Sequence, residues 1–266
     1  MYTIFTKTLR DFRWTFLWFV VICVGYVAII SSMYPTIHEN AAQFEKIFDA
    51  LPEGMVDAFG ITTQYLTTYQ GFISVEYFSF MFIIILAIFI FMLGTSMVAG
   101  EVDRGTSEFT FTLPLRRYQI LAGKLSASYA MILGLLVAVL AAVYVGGFFV
   151  DATLSIRGFL AFFAVLAALG FFLLSVSALF SSIFSRRSLA NSASGGFIGI
   201  SYALLILNGM TDKAAGAYVF SFFKYYGSPE RLLLNADMSM SSPLTLGLLG
   251  ASILVIGFLL TAERDL

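Results

Sequence analysis

The stretch Trp14 to Tyr34, WTFLWFVVICVGYVAIISSMY, holds no charged side chain. Roughly twenty such residues, at a 1.5 Å rise each, match the ~30 Å hydrocarbon core of a bilayer. Five more apolar runs follow, at about 76–99, 125–150, 158–184, 189–210 and 243–261. Inside lipid every backbone N–H and C=O needs a partner within the protein, so runs of this length are read as membrane-crossing helices. The composition agrees: 59% of the residues are hydrophobic and only 12% charged, about half the charge of a soluble domain. The expected fold is an all-α polytopic membrane protein of six transmembrane helices in a single domain, 1–266.

The connections carry expectations of their own. In Met1 to Arg13, Ile4, Phe5, Thr8, Leu9 and Phe12 share one helical side, with Lys7, Arg10 and Asp11 largely opposite. That pattern suits an interfacial N-terminal helix, or equally a charged extension of the first span. The first apolar run is long enough to be a retained span rather than a signal peptide, and Pro35 is expected to close it. Residues 35–75 form a large outer loop, in which Phe44, Ile47, Phe48 and Leu51 recur at helical spacing before Pro52. The segment LPEGMVDAFG adds a second short helical piece. A second outer loop, 211–242, is mixed. Its apolar patches, Ala217 to Phe223 and Leu232 to Leu234, are expected to dip into the membrane or pack as short re-entrant helices.

Sidedness follows from where the bases fall. The N-terminus, the 100–124 segment, the Arg186-Arg187 turn and the tail hold ten of the fifteen Lys and Arg residues, so both termini are expected in the cytoplasm of a cell-membrane protein.

Reactive groups are scarce. The one histidine, His38, lies beside Glu39 in an outer loop, and the one cysteine, Cys23, sits inside an apolar run. Neither supports a multi-ligand metal site or an intrachain disulfide. No acid or base falls mid-span, which disfavours an ion relay and leaves an intramembrane enzyme without its side chains. Gly123-Lys124 is followed by Leu125 and lacks the phosphate-cradling G-x-x-x-x-G-K-[ST] frame. The chain is therefore expected to be non-catalytic, with no cofactor or metal of its own and no nucleic-acid partner. If ATP drives it, another chain binds the ATP. Gly195 and Gly199, in G-x-x-x-G spacing, are read as a helix-packing site, or else as part of a substrate path or dimer seam.

The sharpest signal is the polar island from Gly100 to Lys124, GEVDRGTSEFTFTLPLRRYQILAGK. Glu101, Asp103 and Arg104 extend the second span into water. Gly105 permits a change of direction, and Thr106 or Ser107 can cap a short helix that Pro114 ends. Phe109, Phe111 and Leu113 are too apolar to stand in water, and Arg104, Arg116 and Arg117 flank them. Such a mixture suits docking to a cytosolic protein, against the simpler case of a solvated connector folding back on its own bundle.

These residues resemble a known family. Glu101, Arg104-Gly105-Thr106, Leu113-Pro114, Arg117 and Gly123-Lys124 look like the E-x-x-R-G-T…L-x-P-x-S-R…G-K pattern that follows the second span in type-2 ABC transporter permeases. The LPEGMVDAFG segment, the six spans, the interfacial N-terminal helix and the closing Arg264-Asp265-Leu266 resemble that family too. Arg116 stands where a serine is common, and Phe109 to Thr112 replace a more leucine-rich run.

The resemblance implies the membrane subunit of an ATP-driven exporter. It would form the pathway with a second copy of itself or a related chain, and two ATP-binding subunits carrying ATP and Mg²⁺ would dock on loop 100–124. The docking residues would be Glu101, Arg104, Gly105, Thr106, Phe109, Phe111, Leu113, Pro114, Arg116, Arg117 and Lys124. The competing expectation is a nucleotide-independent carrier, or a membrane scaffold that recruits cytosolic partners.

Overall fold

A computed structural model describes residues 2–41, 68–103, 105, 117–210, 221–235, 239 and 241–263. Every long element among them is helical, and no strand occurs among the described residues. Five helices are long and apolar enough to cross a membrane, or six when one bent pair is counted as a single span. The expected outer-loop helices between Phe44 and Gly60 lie outside the described residues.

Helix α1 (Tyr2–Glu39) runs unbroken for 38 residues. The N-terminal segment is thus no separate interfacial helix but a direct extension of the first span. Arg13 stacks over the Trp14 ring at 5.5 Å where α1 enters its apolar run, the pairing expected of an interface anchor. Cys23, Val27, Ile30 and Tyr34 are buried at helical spacing, while Trp18, Ile22, Ile29 and Met33 face outward. Pro35 does not close the helix, which continues to Glu39. Aromatic packing holds this last turn: the Tyr34 ring stacks 5.5 Å from His38 and meets Tyr69 at 5.5 Å and Phe72 at 5.6 Å.

The second span is broken twice. Helix α2 (Tyr69–Ile73) starts at Thr68, whose hydroxyl accepts from the Gly71 N–H at 3.1 Å. It passes into a π-helical turn (Ser74–Phe78), and α3 (Met81–Gly94) then leaves at a 46° bend. A bend frees carbonyls that lipid cannot satisfy, at several kcal/mol each. Two tyrosines meet them. The Tyr226 hydroxyl donates to the Phe78 carbonyl at 3.0 Å, and the Tyr202 hydroxyl to that of Ser79 at 3.1 Å.

After α3 come a short α4 (Ala99–Asp103), α5 (Arg117–Phe149), α6 (Ile156–Ile183), α7 (Arg187–Met210), a 3₁₀ turn (Phe222–Tyr225), α8 (Pro229–Asn235) and α9 (Ser241–Glu263). Helix α5 ends in a left-handed cap. Asp151 has φ 53°, the Ala152 N–H reaches back to the Gly147 carbonyl at 2.9 Å, and that of Asp151 to Phe148 at 3.4 Å. Helix α6 is the hub. It touches α3, α5, α7, α8 and α9, and 67% of its apolar window is buried, against 22% for α1, α7 and α9. Helices α1 and α5 pair along their lengths, as do α6 and α9.

Candidate functional site

The segment that leads into the polar island is an elbow, not a continuous helix. Helix α3 ends at Gly94, residues Thr95 to Val98 form a turn, and α4 resumes at Ala99. The close fit of α3 on α6 sets its position: a Cβ on Gly94 would stand 2.5 Å from the Ser177 side chain, so only glycine lets the two backbones meet there.

A break at this depth strands backbone groups, and other helices supply their partners. The Ser181 hydroxyl of α6, fully buried, accepts from the N–H groups of Val98 at 3.1 Å and Ala99 at 2.9 Å. It donates to the Thr95 carbonyl at 3.1 Å. From α5, the Lys124 ammonium donates to the Met97 carbonyl at 2.9 Å and to the Glu101 carboxylate at 2.6 Å. From α7, the Arg187 guanidinium donates to the Met92 carbonyl at 2.9 Å. The Thr95 hydroxyl has one proton for two oxygens, Phe91 O at 2.7 Å and Asn191 Oδ1 at 2.8 Å. Turning the Asn191 amide so that its NH₂ faces Thr95 satisfies both.

The electrostatics of the elbow rest on Lys124 and Glu101. Their side chains are 11% and 18% exposed, so solvent screens the pair poorly and each charge depends on the other. The pair also ties the two ends of the island together, since Glu101 lies in α4 before it and Lys124 in α5 after it. Gly105 sits in the left-handed region at φ 67°, with its N–H donating to the Val102 carbonyl at 3.1 Å. A side chain there would meet none of the described residues within 4 Å but would strain the backbone.

Of the residues singled out in the sequence, the structure brings Glu101 and Lys124 into contact and sets Gly105 at the turn. Arg117 opens α5. Arg104, Thr106, Phe109, Phe111, Leu113, Pro114 and Arg116 lie outside the described residues. Among the described residues a Cβ on Gly195 would meet only the Phe91 ring at 3.9 Å, and one on Gly199 nothing within 4 Å, so no described residue covers that face of α7.

Sequence reasoning missed Ser181, Asn191 and Arg187 as members of the elbow. Ser181 was visible only as one of several serines in the fourth span, and nothing local to Asn191 or Arg187 says which carbonyl each will meet. A hydroxyl in an otherwise apolar helix was the one available signal.

Chemically this arrangement binds: hydroxyl, ammonium and guanidinium groups of three other helices hold the backbone around the break. Among the described residues no group of three or more His, Cys, Asp and Glu is placed to hold a metal. The sequence profile of the ABC-2 family transporter proteins matches residues 3–262. A comparison with curated proteins finds no match.

Proposed function

The chain belongs to the ABC-2 family of transporter proteins, and from that premise we propose that it is the pathway-forming subunit of an ATP-driven exporter, coupled to separate ATP-binding subunits through the 100–124 loop. It is a multi-pass membrane permease. Two copies, or this chain and a related one, enclose the pathway. ATP and Mg²⁺ bind on the partner subunits, and this chain performs no catalysis. Both termini and the loop face the cytoplasm, in keeping with the ten bases on that side.

The observation that carries this reading is the elbow. Lys124, Ser181, Asn191 and Arg187 bind its backbone and side chains to α5, α6 and α7, so a displacement of the loop is passed to three other spans. In such a device, cassettes that grip the loop differently with and without ATP bias the helices between two arrangements. Phe109, Phe111 and Leu113 are the apolar contacts, and Arg104, Arg116 and Arg117 the polar ones. Gly195, Gly199 and the open face of α7 are where a second subunit can approach closely.

The break in the second span is also a mark of carriers, whose interrupted helices present bare backbone to a midplane substrate. Here the carbonyls beside the break are taken by Tyr202 and Tyr226, which favours the exporter.

The test replaces Phe109 and Leu113 together by aspartate in the membrane complex. ATP hydrolysis should persist while ATP-dependent transport is lost, with insertion and expression unchanged. Coupled transport at the normal rate in the double variant would refute the docking role, and purification without any ATPase subunit would refute the exporter.

A further inference from the structure

Between α1 and α5 lies a cavity of about 470 Å³, within the size range of small-molecule sites. Its walls are Val24, Val27, Ala28, Ser31, Ser32 and Pro35 on α1, and Ala142, Val145, Gly146, Phe149 and Val150 on α5. From Val24 to Pro35 the helix rises about 16 Å. That is close to half of a ~30 Å hydrocarbon core, the depth of one leaflet's chains. The cavity is therefore an upright slot that opens between two spans, in the leaflet away from the N-terminus.

Its lining chemistry selects the occupant. None of the described residues in the walls is charged. The two hydroxyls are already engaged: Ser31 Oγ lies 2.7 Å from the Tyr69 hydroxyl, which donates to the Val143 carbonyl at 3.2 Å, and Ser32 donates to the Ile29 carbonyl at 2.6 Å. Water or a polar solute would find too few partners there. A void in hydrocarbon forfeits dispersion contacts along its whole lining, so chains from the surrounding lipid are drawn in. The depth of the slot is fixed where the helices cross, because a Cβ on Gly146 would stand 2.6 Å from both the Ser31 and Tyr69 hydroxyl oxygens.

We infer that the α1/α5 slot is a binding site for one acyl chain of a membrane phospholipid, which it recognises by the chain and not by the headgroup. The chain lies along the α1/α5 seam, beside the close approach of Gly146 to Ser31.

The experiment uses the full-length protein, in complex with its partner subunits, in liposomes doped with phosphatidylethanolamine bearing a mid-chain diazirine. Photolabelled peptides are mapped by mass spectrometry. Label should concentrate on the Val24 to Ala28 and Ala142 to Val145 peptides, several-fold above the peptide carrying Leu160, a residue 63% exposed on α6. Ala142→Trp, and separately Ala28→Trp, should fill the slot and bring its label down to the Leu160 level without altering labelling at Leu160. Swapping the headgroup to phosphatidylglycerol should change nothing. Slot labelling no greater than at Leu160, or unchanged in both tryptophan variants, would overturn the inference. A slot that stays unlabelled because residues 42–67 or a second copy fill it would overturn it equally, and labelling that follows the headgroup would refute recognition by the chain.

Discussion

Replacing Ser181 by alanine removes one oxygen and leaves two backbone donors stranded. The N–H groups of Val98 and Ala99 sit in the break between α3 and α4, with Ser181 Oγ as their acceptor at 3.1 and 2.9 Å. The Thr95 carbonyl is less affected, since it also accepts from the Gly100 N–H at 3.0 Å. A buried donor left without its acceptor costs roughly 1–3 kcal/mol, so two of them cost about 2–6 kcal/mol, a large share of a typical folding free energy. The control lies one turn away. Ser177 is also fully buried on α6, but its hydroxyl has no hydrogen-bond partner among the described residues. Ser177→Ala should therefore be neutral or slightly stabilising. Equilibrium unfolding in mixed micelles of dodecyl maltoside and SDS reads both variants on one scale. If Ser181→Ala loses less than about 1 kcal/mol, or if the two serines behave alike, the hydroxyl does not hold the elbow.

Three further substitutions probe the groups that hold the same span. Lys124→Met should destabilise by about 3 kcal/mol, because it leaves the Glu101 carboxylate little exposed beside an apolar side chain. Adding Glu101→Gln should recover much of that loss, and a double-mutant cycle showing simple additivity would exclude the pair as a coupled unit. Tyr226→Phe removes the donor to the Phe78 carbonyl at the upper break and should cost about 1–3 kcal/mol in the same micelle assay; no measurable change would mean that the carbonyl finds another donor.

Lipid made the fold class legible. A hydrocarbon solvent admits few backbone solutions, so runs such as Trp14 to Tyr34 declare themselves helical before any packing is known. What the runs concealed is where a helix stops. Helix α5 starts at Arg117, well before its apolar stretch, because intrahelical hydrogen bonds continue through polar residues as readily as apolar ones. Pro35 was expected to end α1, but its cost was outweighed by rings from His38, Tyr69 and Phe72 closing on Tyr34. Tyr69 and Phe72 are remote in sequence, so no local pattern forecasts their packing. The two breaks in the second span escaped for the same reason. MFIIILAIFIFMLG reads as an uninterrupted span, and the groups that make its ends tolerable, Tyr202, Tyr226 and Ser181, come from other helices. Glu101 and Lys124 stood out as charges beside apolar runs; that they meet each other follows only from α4 and α5 lying side by side.

The two breaks together define how α3 can move. A helix that ends in water can fray or tilt cheaply, because solvent replaces each bond that is lost. Helix α3 ends in neither place in water: above, tyrosine hydroxyls from α7 and the Phe222–Tyr225 region satisfy the carbonyls beside the bend, and below, Ser181, Lys124 and Arg187 hold the backbone around the elbow. Shifting α3 alone would strip several buried groups of their partners at once, at roughly 1–3 kcal/mol each. A shift that carries α5, α6, α7 and the Phe222–Tyr226 turn along keeps every one of these bonds. The lower-energy response to a pull on the 100–124 loop is thus a concerted movement of four spans. On the proposed reading of the chain, that cooperativity would let a force applied at one face of the membrane be felt at the other.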